Sequence, residues 1–342
     1  IRDSSVTGVQ TCALPISVFS DKGVEGAGLL DFPMARVKAS GVAYTVLDDL
    51  PAEPSYMEAQ KLVDQCKEYG ADFIMAVGGG SVQDTAKLAS ILMTDEYGIK
   101  ELLDEPGRAK KCIKTLMIPT TAGTGSEATI AAVVTGEEHR KYAVSDLCLI
   151  PRYAVLDPTL TLSLPPAVTA QTGMDALTHA VEAYLSLYYN TRETRALAES
   201  AVRDIFRYLP VACRDGQSLT ARERMLRASF DAGCAFTRAS VGNVHAIAHT
   251  LGGLYGIPHG LACAVTLPVV LEDYGAAVHP HLARLGSLIG LTGTERERAV
   301  GFLAAIRALN ASLGIPDRFG GIRGEDLPRM AAWAAAEANP VY

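Results

Sequence analysis

The chain has 342 residues, of which 49% are hydrophobic and 20% charged, a composition typical of a soluble globular protein of about two domains. Lysine and arginine total 31 against 38 aspartates and glutamates, and the net charge of −7 without a basic run argues against nucleic acid and anionic membranes as partners. No apolar run approaches the roughly 18 residues that a membrane-spanning helix needs, so we expect no integral membrane protein.

The two ends of the chain and its cysteines each lead to a separate prediction. Residues 1–17 lack helical or strand periodicity and resemble translated adapter sequence, so we expect a non-native stretch there. The abrupt stop at Tyr342 predicts a C-terminally truncated chain. The seven cysteines are an odd number without a CxxC pair, which argues against a disulfide framework or zinc knuckle. They predict a reducing, cytoplasmic location.

Strand and helix patterns alternate through the first half of the chain. Ser55 and Glu58 form a predicted capping box for a helix that ends at Gly70, and a second helix is predicted over residues 82–93. Short apolar runs predict strands buried on both faces. This order predicts an α/β domain with a parallel sheet. The predicted strands cover residues 42–47, 73–77, 113–118 and 153–156.

The sequence of the second half predicts helices throughout. Alanine, leucine, glutamate and arginine dominate, and strand-like runs disappear after Pro165. The proline-bearing stretch around Asp157 predicts a linker, so we expect an α/β domain over residues 18–160 and an all-α domain over residues 161–342. The predicted helices cover residues 167–187, 193–208, 220–234 and 241–255, with others from 279, 295 and 325.

Two loops follow predicted strands of the sheet. Residues 78–81, GGGS, lie between a strand and a helix, where glycines allow close approach and the helix N-terminus suits a pyrophosphate. Alternatively, or in addition, Ser81 is an N-cap with Asp84 as its capping-box partner. Residues 120–126 are seven small residues, four of them hydroxylic, and ligands of open α/β sheets bind at this edge. A solvated connection is the plainer alternative for this loop.

Histidines cluster in the helical half. Asp175 and His179 lie four residues apart on one helix face, which alone indicates only an ordinary surface pair. His245, His249 and His259, however, fall within fifteen residues. One carboxylate with three imidazoles is a standard ligand set for Fe²⁺ or Zn²⁺, and too poor in carboxylates for Ca²⁺ or Mg²⁺.

These motifs together resemble the iron-containing (group III) alcohol dehydrogenase family. The resemblance spans about residues 18–342 and rests on GGGSVQDTAK at 78–87, TTAGTGSE at 120–127, GMDALTHAVEAY at 173–184 and HAIAHTLGGLYGIPHG at 245–260. It implies a Rossmann-like dinucleotide-binding domain followed by a helical metal-binding domain, the two-domain fold of dehydroquinate synthase. It also implies a homo-oligomer, namely a dimer, acting on small alcohols and aldehydes.

The resemblance implies a role for each matching residue. His249 would be catalytic, near the nicotinamide and the alcohol, and would relay protons. The implied metal ligands, for Fe²⁺ or alternatively Zn²⁺, are Asp175, His179, His245 and His259. The implied NAD-binding residues are Asp21, Gly79, Gly80, Ser81, Thr120, Thr121, Thr124, Ser126 and Lys141.

Some departures and alternatives accompany the resemblance. Residues 1–17 replace the family's first strands, and Cys263 stands where many members carry asparagine. The implied reaction is reversible hydride transfer between a primary or small alcohol and NAD, with the metal polarising the alcohol oxygen. Polyol or phosphorylated-polyol dehydrogenases of the same fold are one alternative. A non-catalytic, truncated remnant is another.

Overall fold

A parallel sheet forms the frame of the first half. A computed structural model describes residues 15–93, 97–108, 112–187 and 189–338 of the chain. Five strands form this sheet in the order β2-β1-β3-β4-β7, and every neighbouring pair is parallel. The strands in chain order are β1 (Ile16–Phe19), β2 (Tyr44–Leu47), β3 (Phe73–Gly78), β4 (Lys114–Pro119), β5 (Ala131–Thr135), β6 (Lys141–Ser145) and β7 (Tyr153–Ala154).

The helices of the two halves differ in number and length. Within the described parts of the chain, five accompany the sheet and eight follow it, several of them four turns or longer. The first five are α1 (Lys22–Gly26), α2 (Asp31–Ser40), α3 (Tyr56–Tyr69), α4 (Gly80–Leu92) and α5 (Ile99–Asp104). The others are α6 (Pro166–Leu185), α7 (Arg192–Arg214), α8 (Leu219–Ala239), α9 (Asn243–Tyr255), α10 (His259–Asp273), α11 (His279–Leu288), α12 (Glu295–Ser312) and α13 (Leu327–Ala338). The predicted fold class, a parallel α/β half followed by a helical half, is confirmed.

Local signals explain why α3 begins and ends where it does. The Ser55 hydroxyl accepts from the Glu58 backbone N–H, and the Glu58 carboxylate accepts from the Ser55 N–H at 2.8 Å, so the predicted capping box is present. Gly70 closes the helix in the left-handed conformation with φ 70°, as its position predicts.

The sheet begins earlier than the sequence pattern suggests. Ile16 and Ser17, assigned to the non-native stretch, belong to β1 and pair with β2 and β3 on either side. The sheet therefore includes two residues of the predicted non-native stretch, and the expected start of the first domain at Val18 stays a prediction. The rest of that predicted stretch, residues 1–14, lies outside the described residues, and the predicted division at 160/161 stays a prediction.

Apolar residues form separate cores in the two halves. The faces of the parallel sheet pack under α2 on one side and under α3 and α4 on the other. The helical half packs around α6, whose residues Met174, Leu177 and Val181 are all fully buried. Across the described ranges no single helix is long and apolar enough to cross a membrane. Only α10 taken together with residues 275–288 reaches that length and hydropathy, and the two segments are bent by 105° from each other.

Candidate functional site

The two predicted loops meet at the carboxyl edge of the sheet. Gly78, the last residue of β3, pairs with Pro119 of β4, and its carbonyl accepts from the Thr120 N–H at 3.1 Å. A Cβ atom at Gly80 would lie 2.7 Å from Cγ2 of Thr124, a distance that real Cβ atoms do not tolerate. Glycine at position 80 therefore allows the two loops to close against each other.

The predicted N-cap of α4 is wrong. Gly79, which has no side chain, is the N-cap, and the Ser81 hydroxyl donates instead to the Ala52 carbonyl. Asp84 accepts from the Ser126 hydroxyl at 2.6 Å and from the Val133 N–H at 2.9 Å, so it bridges α4 to the second loop and to β5. The first turn of α4 thus has no side-chain acceptor, which leaves its N–H groups available for an anion.

A buried lysine in the first motif also ties these segments together. Lys87 is fully buried, and its ammonium donates to the Thr129 carbonyl and hydroxyl at 3.0 and 2.8 Å and to the Ala131 carbonyl at 2.9 Å. Burial lowers the pKa of Lys87 to about 8, although the negative charges of Asp84 and Glu127 act to raise it. Lys87 therefore holds the end of the second loop against α4.

One cavity of about 680 Å³ connects these loops with the helical half. Its wall at the sheet edge includes five of the predicted cofactor-binding residues, and its wall at the helices includes all four histidines of the cluster. The five are Gly80, Ser81, Thr124, Ser126 and Lys141. The four are His179, His245, His249 and His259. The structure therefore brings the two predicted sites into one continuous space.

The other predicted cofactor-binding residues lie outside the cavity lining, which lacks Asp21, Gly79, Thr120 and Thr121. Asp21 follows β1, and its Oδ1 accepts from the Val24 N–H at 2.9 Å, which caps α1. Within the lining, Lys141 donates to the Glu53 carboxylate at 2.9 Å.

One face of α6 carries the acidic part of the helical site. Asp175, His179 and Glu182 follow one another at i, i+4 and i+7, so they line one stripe of the helix. All three are buried, with exposed fractions of 2, 5 and 2%. Asp175 and His179 were predicted as site residues and Glu182 was not, although the same helical spacing indicates it.

Two other helices, α9 and α10, bring imidazoles to this face. Nε2 of His245, on α9, is 3.7 Å from Asp175 Oδ1, and Nε2 of His259, at the start of α10, is 3.3 Å from the same oxygen. His179 places Nδ1 3.9 Å from Asp175 Oδ2, and its ring stacks on that of His245 at 4.3 Å between centroids.

The chemistry of these donors fits a divalent cation. Asp175 Oδ1, His179 Nδ1 and His245 Nε2 are buried without a hydrogen-bond partner among the described residues. A buried polar atom without a partner costs on the order of 1–3 kcal/mol, and three that converge on one point need a common partner. A cation held by a carboxylate and imidazoles would satisfy all three.

Charge in this cluster also favours a cation. Although burial opposes its ionisation, the imidazoles of His179 and His259 hold the pKa of Asp175 well below its usual range. Burial lowers the pKa of His179 to about 3, so this imidazole is neutral near pH 7 and keeps a lone pair for a metal.

The tightest group of donors differs from the predicted ligand set. Donor atoms of Asp175, His245, His259 and Cys263 all lie within 4.8 Å of one another, whereas His179 lies outside this group. Cys263 is buried on α10, and its Sγ is 3.7 Å from His259 Nε2. Cys263 was not among the predicted ligands; in the sequence it is only a departure from the family pattern.

Glu182 orients one of the predicted ligands. Its carboxylate contacts His245 Nδ1 at 2.6 Å and accepts from the backbone N–H groups of Gly242 and Val244 at 2.8 and 2.7 Å. A carboxylate at Nδ1 fixes the proton there and turns Nε2 toward Asp175. The same carboxylate satisfies N–H groups at the start of α9, so it both docks that helix and sets the tautomer of its histidine.

His249 has a different partner from the other histidines of the cluster. Its Nδ1 is 2.5 Å from the Glu337 carboxylate of α13, which leaves Nε2 as the nitrogen available to the cavity. Burial lowers the pKa of His249, although Glu337 acts in the opposite direction, so the neutral imidazole dominates near pH 7. The sequence analysis singles out His249 but gives no indication of Glu337.

Comparison with known proteins identifies the same family over both halves. A family model described as iron-containing alcohol dehydrogenase matches residues 10–158, and its C-terminal counterpart matches residues 169–342. A probable alcohol dehydrogenase of Escherichia coli K12, EutG, is 36% identical over 325 residues, which cover 95% of this chain and 81% of that protein.

Solved structures agree with these matches. The structure of a 1,3-propanediol oxidoreductase has a TM-score of 0.90 at 35% identity, and the match covers 95% of this chain and 87% of that one. A sulfoacetaldehyde reductase from Bifidobacterium kashiwanohense, solved with NAD⁺, has a TM-score of 0.83 at 28% identity and covers 96% and 85% of the two chains.

Proposed function

The chain belongs to the iron-containing alcohol dehydrogenase family, and from that premise we propose that it transfers hydride reversibly between a primary or small alcohol and NAD. The observation that carries this proposal is the single cavity, which runs from the first turn of α4 to the histidine cluster. Such a space holds a dinucleotide along its length and brings its reactive end to the cluster.

The cluster would hold Fe²⁺, with Zn²⁺ as the alternative. The ligands that we propose are Asp175, His179, His245 and His259. Buried donor atoms of the first three have no hydrogen-bond partner among the described residues, and His259 Nε2 lies 3.3 Å from Asp175 Oδ1. A divalent cation there would supply Lewis acidity that polarises the oxygen of an alcohol or aldehyde. Asp175 contributes one negative charge, so the cluster with its cation keeps a net positive charge.

The loops at the sheet edge would hold the cofactor. The first turn of α4, which includes Ser81, has no side-chain cap and would present its N–H groups to a pyrophosphate. Asp84 and Lys87 would support the loop and not bind the cofactor: Asp84 fixes Ser126 of the second loop, and Lys87 fixes Thr129 just after it. Lys141 lines the same space and would approach the adenosine side.

His249 would move the proton that the reaction releases or consumes. Its Nε2 is the free nitrogen, and its neutral form can accept a proton from the alcohol side during oxidation. Glu337 at Nδ1 holds the ring in one orientation and stabilises the charged form that results. During reduction the same imidazole, once protonated, returns the proton.

The direct test follows absorbance at the NADH band. Metal-free protein is loaded with Fe²⁺ or Zn²⁺ and mixed with NAD and a panel of small primary alcohols, diols and phosphorylated polyols. We expect NADH to form with simple alcohols only when metal is present. Turnover restricted to phosphorylated polyols would favour the alternative dehydrogenase class, and metal binding without any turnover would favour a non-catalytic remnant.

Cofactor preference gives a further prediction. Asp21 would accept a hydrogen bond from the adenosine ribose and repel a 2′-phosphate, so we expect NAD to be preferred over NADP. Because serine also caps helices well, Asp21→Ser should keep α1 intact while it removes the charge. Two charges about 4 Å apart in water repel by about 1 kcal/mol, so the kcat/KM ratio of NAD to NADP should fall roughly fivefold or more.

The control for this change is Asp31→Ser, which alters an exposed carboxylate in the first turn of α2. Its cofactor preference should match that of the unaltered protein. An unaltered protein that prefers NADP would contradict the role proposed for Asp21.

The two directions of the reaction should differ in pH dependence. Oxidation needs neutral His249, whereas reduction needs the protonated form, and burial lowers the pKa of this group. The neutral form therefore predominates above that lowered pKa, and oxidation should have the more alkaline optimum. In acid, protons compete with metal for the ligand imidazoles, so excess metal should partly restore activity in both directions.

The measurement is a pair of pH–rate profiles at saturating NAD and NADH, each with and without excess Fe²⁺ or Zn²⁺. Coincident optima, together with no rescue by metal in acid, would contradict both parts of this mechanism.

A further inference from the structure

Cys263 lies in the helical site without a role in the proposed reaction. It follows His259 by one turn of α10, so the two side chains share a helix face. The residue is fully buried, yet its Sγ lies 3.7 Å from the imidazole Nε2 of His259. A buried thiol beside imidazoles is more than a small core residue, because sulfur is itself a metal ligand.

The distances among the donors match those around one ion. Atoms of Asp175, His245, His259 and Cys263 all lie within 4.8 Å of one another. Ligands that stand about 2.0–2.3 Å from a shared ion are separated by at most roughly 4.6 Å. The distances from His259 Nε2 to Asp175 Oδ1 and to Cys263 Sγ, 3.3 and 3.7 Å, lie within that limit. Asp175 Oδ1 and His245 Nε2 are buried and have no hydrogen-bond partner among the residues that the structure describes, which independently indicates a cation at this point.

Direct hydrogen bonds explain this group poorly. Nε2 of His259 faces Asp175 Oδ1 at 3.3 Å and Cys263 Sγ at 3.7 Å, and one N–H cannot point at both. The distance to the oxygen is also longer than an ordinary N–H···O bond. A cation between the three atoms would accept a lone pair from each of them.

We propose that Cys263 supplies a thiolate to the cation held by Asp175, His245 and His259. The proposal rests on the proposed function, since it concerns the same metal. On binding, the thiol releases its proton to solvent, and the sulfur lone pair forms the bond to the metal. His179, which lies outside the tight group, would then be the more distant donor.

A thiolate changes which metal the site prefers. Sulfur is a softer donor than imidazole or carboxylate and favours Zn²⁺ and Co²⁺ over harder cations. With Cys263 as ligand, the ratio of Zn²⁺ to Fe²⁺ affinity should therefore be higher than in the Cys263→Asn variant, which carries the residue found in many family members.

The experiment uses Co²⁺ as the probe. The protein is freed of metal with a chelator and reloaded with one equivalent of Co²⁺, and its near-ultraviolet absorption is recorded without cofactor. A thiolate bound to Co²⁺ gives an intense charge-transfer band, which nitrogen and oxygen ligands do not give. We expect this band in the unaltered protein, its loss in Cys263→Ala, and its retention in Cys66→Ala, which removes an equally buried thiol from α3.

Measuring the bound cobalt distinguishes a failure of the role proposed for Cys263 from a failure of the metal site as a whole. Cobalt bound without the band, or a band that persists in Cys263→Ala, would overturn the role of Cys263 and leave the metal site itself standing. No bound cobalt at all would overturn both. If Cys263→Ala does not fold, X-ray absorption of the unaltered Zn²⁺ protein decides: a sulfur neighbour at about 2.3 Å supports the proposal, and nitrogen and oxygen neighbours alone refute it.

Discussion

Asp175→Ala is expected to abolish metal retention and turnover together. Asp175 is the one carboxylate against which His179, His245 and His259 all converge, at 3.9, 3.7 and 3.3 Å. Its removal takes away the anionic ligand of the proposed set and leaves imidazoles, which offer lone pairs but no negative charge to offset that of the cation. We expect metal content, measured per chain after gel filtration, to fall close to zero, and NADH formation to fall below detection.

His259→Ala should give the same pair of losses. Asp231→Ala is the matched control, because Asp231 is also a buried aspartate of the helical half but pairs with Arg227 instead of the histidines. It should retain metal and activity, and far-ultraviolet circular dichroism should show that all three variants fold. Full metal content in Asp175→Ala would contradict the proposed ligand set.

His249→Ala is expected to keep the metal and lose rate. His249 contacts Glu337 on one side and stacks on His259 at 5.1 Å, but its nitrogens do not belong to the tight donor group. Loss of a general acid–base group typically costs 10²- to 10⁴-fold in rate, so kcat should fall by about that factor while metal content stays unchanged.

Glu337→Gln should change the pKa of His249 without removing its imidazole. Glu337 raises the pKa of His249 against the effect of burial, so its neutralisation should lower that pKa further. The acid limb of the oxidation profile should then move to lower pH, because His249 stays neutral over a wider range. If His249→Ala instead strips the metal while His259→Ala retains it, the proposed roles of ligand and relay are reversed.

Patterns that repeat along one segment predicted most of the fold. The apolar runs of β3 and β4, the capping box at Ser55 and the glycine that ends α3 are local signals, and each has its expected counterpart in the structure. The hairpin of β5 and β6 was not predicted, because its sequences AAVVT and KYAVS do not alternate between apolar and polar residues. β1 was not predicted from the residue pattern either, because its first residues adjoin a stretch without periodicity.

Contacts between residues that are far apart in the sequence are the part of the site that local patterns could not predict. Asp84 looks like the partner of Ser81 in the sequence, yet its carboxylate bonds Ser126 and Val133, which lie more than forty residues away. Glu337 reaches His249 across 88 residues in the same manner. Spacing within one helix carries no information about which other segment will pack against it.

Because Asp175, His179 and Glu182 must share one face of α6, the site should not tolerate insertions or deletions between Asp175 and Glu182. Asp175 and Glu182 share a helix face only because seven residues are close to two full turns. One residue inserted between them would turn Glu182 by about 100° away from α9, so His245 would lose its orienting carboxylate even though every ligand remained in the sequence. The same insertion after Leu185 lengthens a connection beyond the helix, where the added loop costs little. Natural variation in length should therefore be tolerated after Leu185 and absent between Asp175 and Glu182.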